Sequence, residues 1–210
     1  MASTVTNLLE ECMPPIPAVP KLRGRIHLAA LFPVSFACIN LHSLVRTFRP
    51  ELVLASAMFA FSSIALFLSS SLLHLRWWPQ KVYKLLKRID HSNIFLLVSG
   101  TFHILIGGTS TKWKNALLFY NWFFAACGVC YRMMFEQPKK LVLALIFITY
   151  SWSFMIFIPF FGLSTEHLIR VIIGGLLYTG GLCFSLVSHL RRSNLRVEKA
   201  KSLSSLFWIS

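Results

Sequence analysis

The chain has 210 residues, 56% hydrophobic and only 13% charged, with a mean hydropathy of +0.65. This excludes a soluble globular domain and a disordered chain, and describes a polytopic helical membrane protein. A formal net charge of +14 would suggest nucleic acid in a soluble protein. Here the Lys and Arg fall between apolar runs and no base-binding module is present, so the expected surroundings are membrane lipids, some of them anionic, and no nucleic acid.

Residues 1–20 contain no long apolar core and no basic leader, so they do not read as a secretory signal. Pro14, Pro15, Pro17 and Pro20 predict a flexible, extended N-terminal segment. Lys21, Arg23 and Arg25 then form a positive anchor ahead of the first of six apolar spans.

The spans run from His27 to Phe48, Leu52 to Leu75, His91 to Thr109, Asn115 to Phe135, Leu141 to Leu163 and His167 to Leu190. Each is near the ~20 residues that cross a hydrocarbon core as a helix. The fold class is therefore all-α, a membrane bundle with six predicted transmembrane helices. Pro33 predicts a kink in the first span. Gly174, Gly175, Gly180 and Gly181 predict close helix approach in the sixth.

Counting Lys and Arg on alternate sides gives an orientation. The anchor, the second-to-third connector, the fourth-to-fifth connector and residues 191–210 hold sixteen of the twenty-one. Arg46, Arg49, Lys112, Lys114 and Arg170 lie on the other side. The excess marks cytosolic loops, so both ends of the chain are expected inside.

Between the second and third spans, Trp77 and Trp78 sit where interfacial aromatics belong. Val82, Leu85, Leu86 and Ile89 recur at helical spacing among lysines, predicting a short amphipathic surface helix. The organisation is then a segment 1–20, a transmembrane domain 21–190 and a basic cytosolic tail 191–210. The five cysteines are scattered and do not form a disulfide framework. Cys127 and Cys130 have redox or metal spacing without a second pair, and read as small buried residues at a helix interface.

One stretch carries candidate chemistry. Ser70 and His74 are i and i+4 on one helical face, and Asp90, the sole aspartate, opens the next span at the same depth. His27, His91 and His189 fall at that end of their spans; His42, His103 and His167 fall toward the other. A His and a carboxylate can begin a zinc site, but a stable one takes three or four ligands. The same pair can equally be a hydrogen-bonded tie between two helices. His42 and His103 read as satisfied bundle residues.

These residues occur in blocks that resemble the hemolysin III family, which includes the progestin and adiponectin receptors and is similar more distantly to alkaline ceramidases. The blocks are Lys21 to Ala29 (KLRGRIHLA), Ser69 to His74 (SSSLLH), Arg88 to Thr101 (RIDHSNIFLLVSGT) and Gly174 to Gly181 (GGLLYTGG), in family order. The resemblance implies a seven-helix bundle with its N-terminus inside and zinc near the cytosolic face. It places a metal ligand at His74, support of a metal-bound water at Asp90, and the site serine at Ser70. It also implies two further ligands from a His-x-x-x-His in a seventh helix, and no such motif occurs in these 210 residues. The implied site is thus incomplete, as in a shortened or a divergent member. Three functions follow as expectations: a receptor or signalling protein taking a lipid or small-molecule ligand, a zinc-dependent lipid amidase, or a pore-forming or structural membrane protein.

Overall fold

The computed structural model describes residues 21–109, 112–135 and 138–207. The segment 1–20, predicted to be flexible, lies outside the described residues. Among those described there are six α-helices and no strand: α1 (Lys21–Phe48), α2 (Val53–Leu75), α3 (Gln80–Gly107), α4 (Lys114–Met134), α5 (Lys140–Ser153) and α6 (Thr165–Phe207). Five of them, α4 being the exception, are long and apolar enough to cross a membrane, α5 only together with the 3-10 residues that carry it to Ile158. The fourth predicted span coincides with α4, which has 21 residues but buries Asn121 and Arg132 along its length.

Three boundaries differ from the sequence reading. The predicted surface helix and third span are one continuous helix, α3, because nothing between Ile89 and His91 breaks the helical pattern. At 28 residues α3 is about 42 Å long, so it overshoots a hydrocarbon core of about 30 Å. The fifth span changes character at Phe154, where α5 passes into a 3-10 segment, Phe154–Phe160. Pro159 lacks the N–H that would bond four residues back and disfavours α geometry at Ile158. Finally, α6 does not stop at Leu190 but continues to Phe207. By contrast, α1 runs through Pro33 without interruption.

Connections are short. A 3-10 turn, Pro50–Leu52, joins α1 to α2, with Arg49 paired to Glu51. Between α2 and α3, Trp78 Nε1 donates to the Leu72 carbonyl at 2.8 Å and Arg76 lies 5.5 Å from the Trp78 ring centre. Ser164 caps α6, its hydroxyl meeting the His167 ring at 2.7 Å.

The helices α1 to α4 pack in chain order, each against the next, while α6 packs against α5. Glycines set the spacing in the first group, at positions other than those predicted. A Cβ on Gly100 would fall 2.5 Å from Ser62 Oγ on α2, and one on Gly128 would fall 2.4 Å from the Phe95 ring on α3. In α6, a Cβ on Gly174, Gly180 or Gly181 would meet nothing within 4 Å, and Gly175 only touches Trp152. The predicted close approach there is not formed because that helix face has no backbone neighbour among the described residues. The cysteine prediction also changes: Cys127 and Cys130 are exposed, since α4 buries Leu117, Asn121, Ala125, Gly128 and Arg132 at helical spacing and turns the cysteines outward.

The core is aromatic. Phe95 of α3 lies 4.2 Å from Phe147 of α5, and Phe102 stacks on Phe154 at 3.7 Å. These rings join α3 to α5 and to the 3-10 segment that follows it. Apolar residues such as Phe32, Phe36, Leu177 and Phe184 remain exposed, as expected of surfaces that face lipid.

Gly128→Val should therefore destabilise the fold by about 1–3 kcal/mol through overpacking against Phe95. Gly174→Ala, with nothing for the new methyl to meet, should leave stability unchanged or raise it by up to about 1 kcal/mol. Thermal unfolding in detergent of the two variants would check this, and equal effects would contradict the assigned spacing.

Candidate functional site

The α2–α3 hairpin builds the site. Asn93 Nδ2 donates to Ser69 Oγ at 2.8 Å and to the Ala65 carbonyl at 3.1 Å, fixing the rotation of the two helices. In this register Ser70 and Asp90 both line one end of a cavity of about 600 Å³ between α1, α2, α3, α5 and α6. His27 of α1 and His91 of α3 line it too. Its remaining wall is mostly apolar, with Leu97, Val98 and Phe102 of α3 facing Met155 and Ile158 beyond α5.

His74 takes a different position. It is buried one turn beyond Ser70, and is not part of the cavity wall. The first turn of α1 covers it: a Cβ on Gly24 would lie 3.0 Å from both the Cβ and the carbonyl carbon of His74. Ser70 and Asp90 thus share a cavity, while His74 packs behind them under Gly24.

Zinc needs three or more protein ligands converging on one point. Among the described residues no group of three His, Cys, Asp or Glu side chains is placed to hold a metal ion. His74, His91, His27 and Asp90 populate one end of the bundle, but no three of them are grouped as a zinc site takes, so these residues alone do not fit zinc.

Beside this end, Arg132 of α4 is only 2% exposed. Its Nε donates to His91 Nδ1 at 3.2 Å, and its other nitrogens donate to the carbonyls of Phe135 at 3.0 Å and Lys87 at 3.5 Å. An imidazole accepting at Nδ1 is neutral and carries its proton on Nε2. Arg132 therefore fixes the tautomer of a histidine that lines the cavity.

A second polar centre joins α3, α4 and α5. Asn121 Nδ2 donates to the Ser99 carbonyl at 2.9 Å. The Tyr150 hydroxyl donates to Asn121, whose carbonyl and Oδ1 both lie 2.9 Å away. Its single proton being used there, Ser99 Oγ donates to it at 2.6 Å. Sequence reasoning did not single out these residues or Arg132; an Asn or Arg within a span is the signal that could have found them. His42 meets Ser56 Oγ at 2.9 Å, the satisfied residue expected. His103 departs from that expectation: its ring packs edge-on against Trp122, while its buried Nδ1 has no hydrogen-bond partner among the described residues.

The family model described as Haemolysin-III related matches residues 18–192. The chain belongs to that family. It is 28% identical over 135 residues to the hemolysin-3 homolog of Bacillus subtilis (strain 168), covering 63% of each chain. Over 139 residues it is 32% identical to hemolysin-3 of Bacillus cereus, covering 64% of this chain and 62% of that one. The match thus spans under two thirds of the length of these haemolysin-III relatives. No solved structure matches the chain at a significant level.

The Ser99–Asn121–Tyr150 centre yields a stability test. Tyr150→Phe keeps the ring in the aromatic core but strands Asn121 Oδ1, and should cost about 1 kcal/mol. An unchanged unfolding temperature in detergent would show that the hydroxyl contributes nothing.

Proposed function

We propose that this haemolysin-III family protein is receptor-like: it binds a long, mostly apolar molecule whose polar head docks at Ser70 and Asp90, and the binding is linked to signalling. The observation that supports this is the cavity itself, apolar along its length and polar at the Asp90 end. A cavity of about 600 Å³ falls within the ordinary range for small-molecule sites. Asp90 accepts hydrogen bonds when ionised and Ser70 both donates and accepts, so a head with N–H or O–H donors suits them.

The same reading puts the Asp90 end and the N-terminus on the cytosolic side, in keeping with sixteen of twenty-one Lys and Arg at that end. His74, with Asp90 and Ser70, would be the part of a metal site that α2 and α3 carry. Among the described residues no three ligands are grouped as zinc takes, and the cavity supports the receptor reading ahead of a zinc-dependent lipid amidase, the alternative. The name of the Bacillus relatives, hemolysin-3, favours pore formation as a second reading.

Binding is measured with a fluorescent octadecanamide and the full chain in phosphatidylcholine nanodiscs. Asp90→Asn is expected to weaken it about tenfold, by loss of a charge-assisted hydrogen bond. Absence of binding, or equal binding by the variant, would sink the reading. Metal analysis separates the alternatives. Zinc well below one per chain and unaltered in His74→Ala is expected, whereas one zinc per chain lost in that variant would favour the amidase. Dye leakage from liposomes on reconstitution would favour the pore.

A further inference from the structure

The cavity has a second polar feature that the Asp90 end does not explain. Ser151 of α5 and Tyr178 of α6 both line it. Both hydroxyl oxygens are buried and have no hydrogen-bond partner among the described residues. A helical serine ordinarily returns its hydroxyl to a carbonyl one turn back, as Ser153 does to Tyr150 at 2.7 Å. Ser151 does not. A buried unpaired hydroxyl is costly, and most such groups find a partner. Two of them on one cavity wall point to a partner that enters the cavity.

Their depth follows from the neighbouring contacts. Tyr150, adjacent to Ser151, bonds to Ser99, which lies nine residues beyond Asp90 on the same unbroken helix. That separation is about 14 Å along the helix axis. Trp152 Nε1 donates to Thr179 Oγ1 at 2.9 Å, bringing the neighbour of Tyr178 to the same level. Gly174, one turn before Tyr178, also lines the cavity, and a Cβ there would meet nothing within 4 Å. Its missing side chain leaves the cavity open one helical turn before Tyr178.

We infer that Ser151 and Tyr178 form a second hydrogen-bonding station, which selects a chain lipid carrying a hydroxyl or carbonyl part-way along its length. This rests on the cavity reading proposed above and narrows its ligand class. A ligand hydroxyl can accept from one station hydroxyl and donate to the other. A methylene in that place leaves both unpaired, which is the situation in which polar sites discriminate most strongly.

The test is displacement of the fluorescent octadecanamide from the full chain in phosphatidylcholine nanodiscs by octadecanamide and by 12-hydroxyoctadecanamide. The hydroxylated amide should compete about tenfold better. In the Ser151→Ala/Tyr178→Phe double variant that preference should fall to within about twofold, with octadecanamide binding as tightly or more tightly, since no unpaired hydroxyl then faces its chain. Equal competition by the two amides in the unmodified chain, or a preference that survives in the double variant, overturns the station and leaves the cavity reading standing. Failure of the fluorescent amide to bind overturns both. Removing two unpaired hydroxyls breaks no bond of the fold, so the double variant should unfold at the same temperature or higher. A lower one would mean that these hydroxyls hold the structure, and overturns the assignment.

Discussion

The Phe95 ring occupies the space that a side chain at Gly128 would fill, and this contact sets the spacing and rotation of α3 against α4. Because the two helices are antiparallel, its consequences run in both directions. One turn toward the Asp90 end, Arg132 reaches His91. Toward the other end, Asn121 reaches the backbone of Ser99. The same Phe95 ring also packs on Phe147, which brings α5 into place and presents Tyr150 to the Ser99–Asn121 pair. One apolar contact thus aligns two buried polar centres, neither of which can shift by a turn without stranding donors in a low-dielectric interior.

Much of the architecture was legible because membrane helices announce themselves by length and hydropathy. Each of the six spans falls on an α-helix, the fifth passing into a 3-10 segment at Phe154, and the alternation of spans puts Ser70 and Asp90, which line one cavity, at the same depth. The partners of individual polar residues were not legible. Whether Asn121 meets Ser99, or His74 faces the cavity, depends on rotation about a helix axis, and that rotation is set by tertiary contacts such as Gly24 on His74. The glycines show this most clearly. The Gly174–Gly175 and Gly180–Gly181 pairs look like packing motifs, yet isolated Gly24, Gly100 and Gly128 make the close contacts.

The cavity joins two differently built walls. Its α2–α3 wall is pinned by the Asn93 amide and by glycine contacts, which hold Ser70 and Asp90 in a fixed relation. Its α5–α6 wall is held to α3 mainly through aromatic rings and the Tyr150 hydroxyl. Ring contacts are extensive but weakly directional, whereas the amide and hydroxyl bonds fix orientation. The polar head of a ligand would therefore meet a rigid surface, and its chain a more adaptable one.

The Ser99–Asn121–Tyr150 centre also bears on biosynthesis. The chain emerges in order, and Tyr150 follows Asn121 by 29 residues. While α5 is still unmade, Asn121 Oδ1 and the Ser99 hydroxyl lack the partner that later unites them. Nascent α3 and α4 thus carry a polar seam that only the arrival of α5 closes. A chain arrested between Asn121 and Tyr150 would display that seam to lipid, giving the cell's quality-control machinery a chemical mark of unfinished assembly.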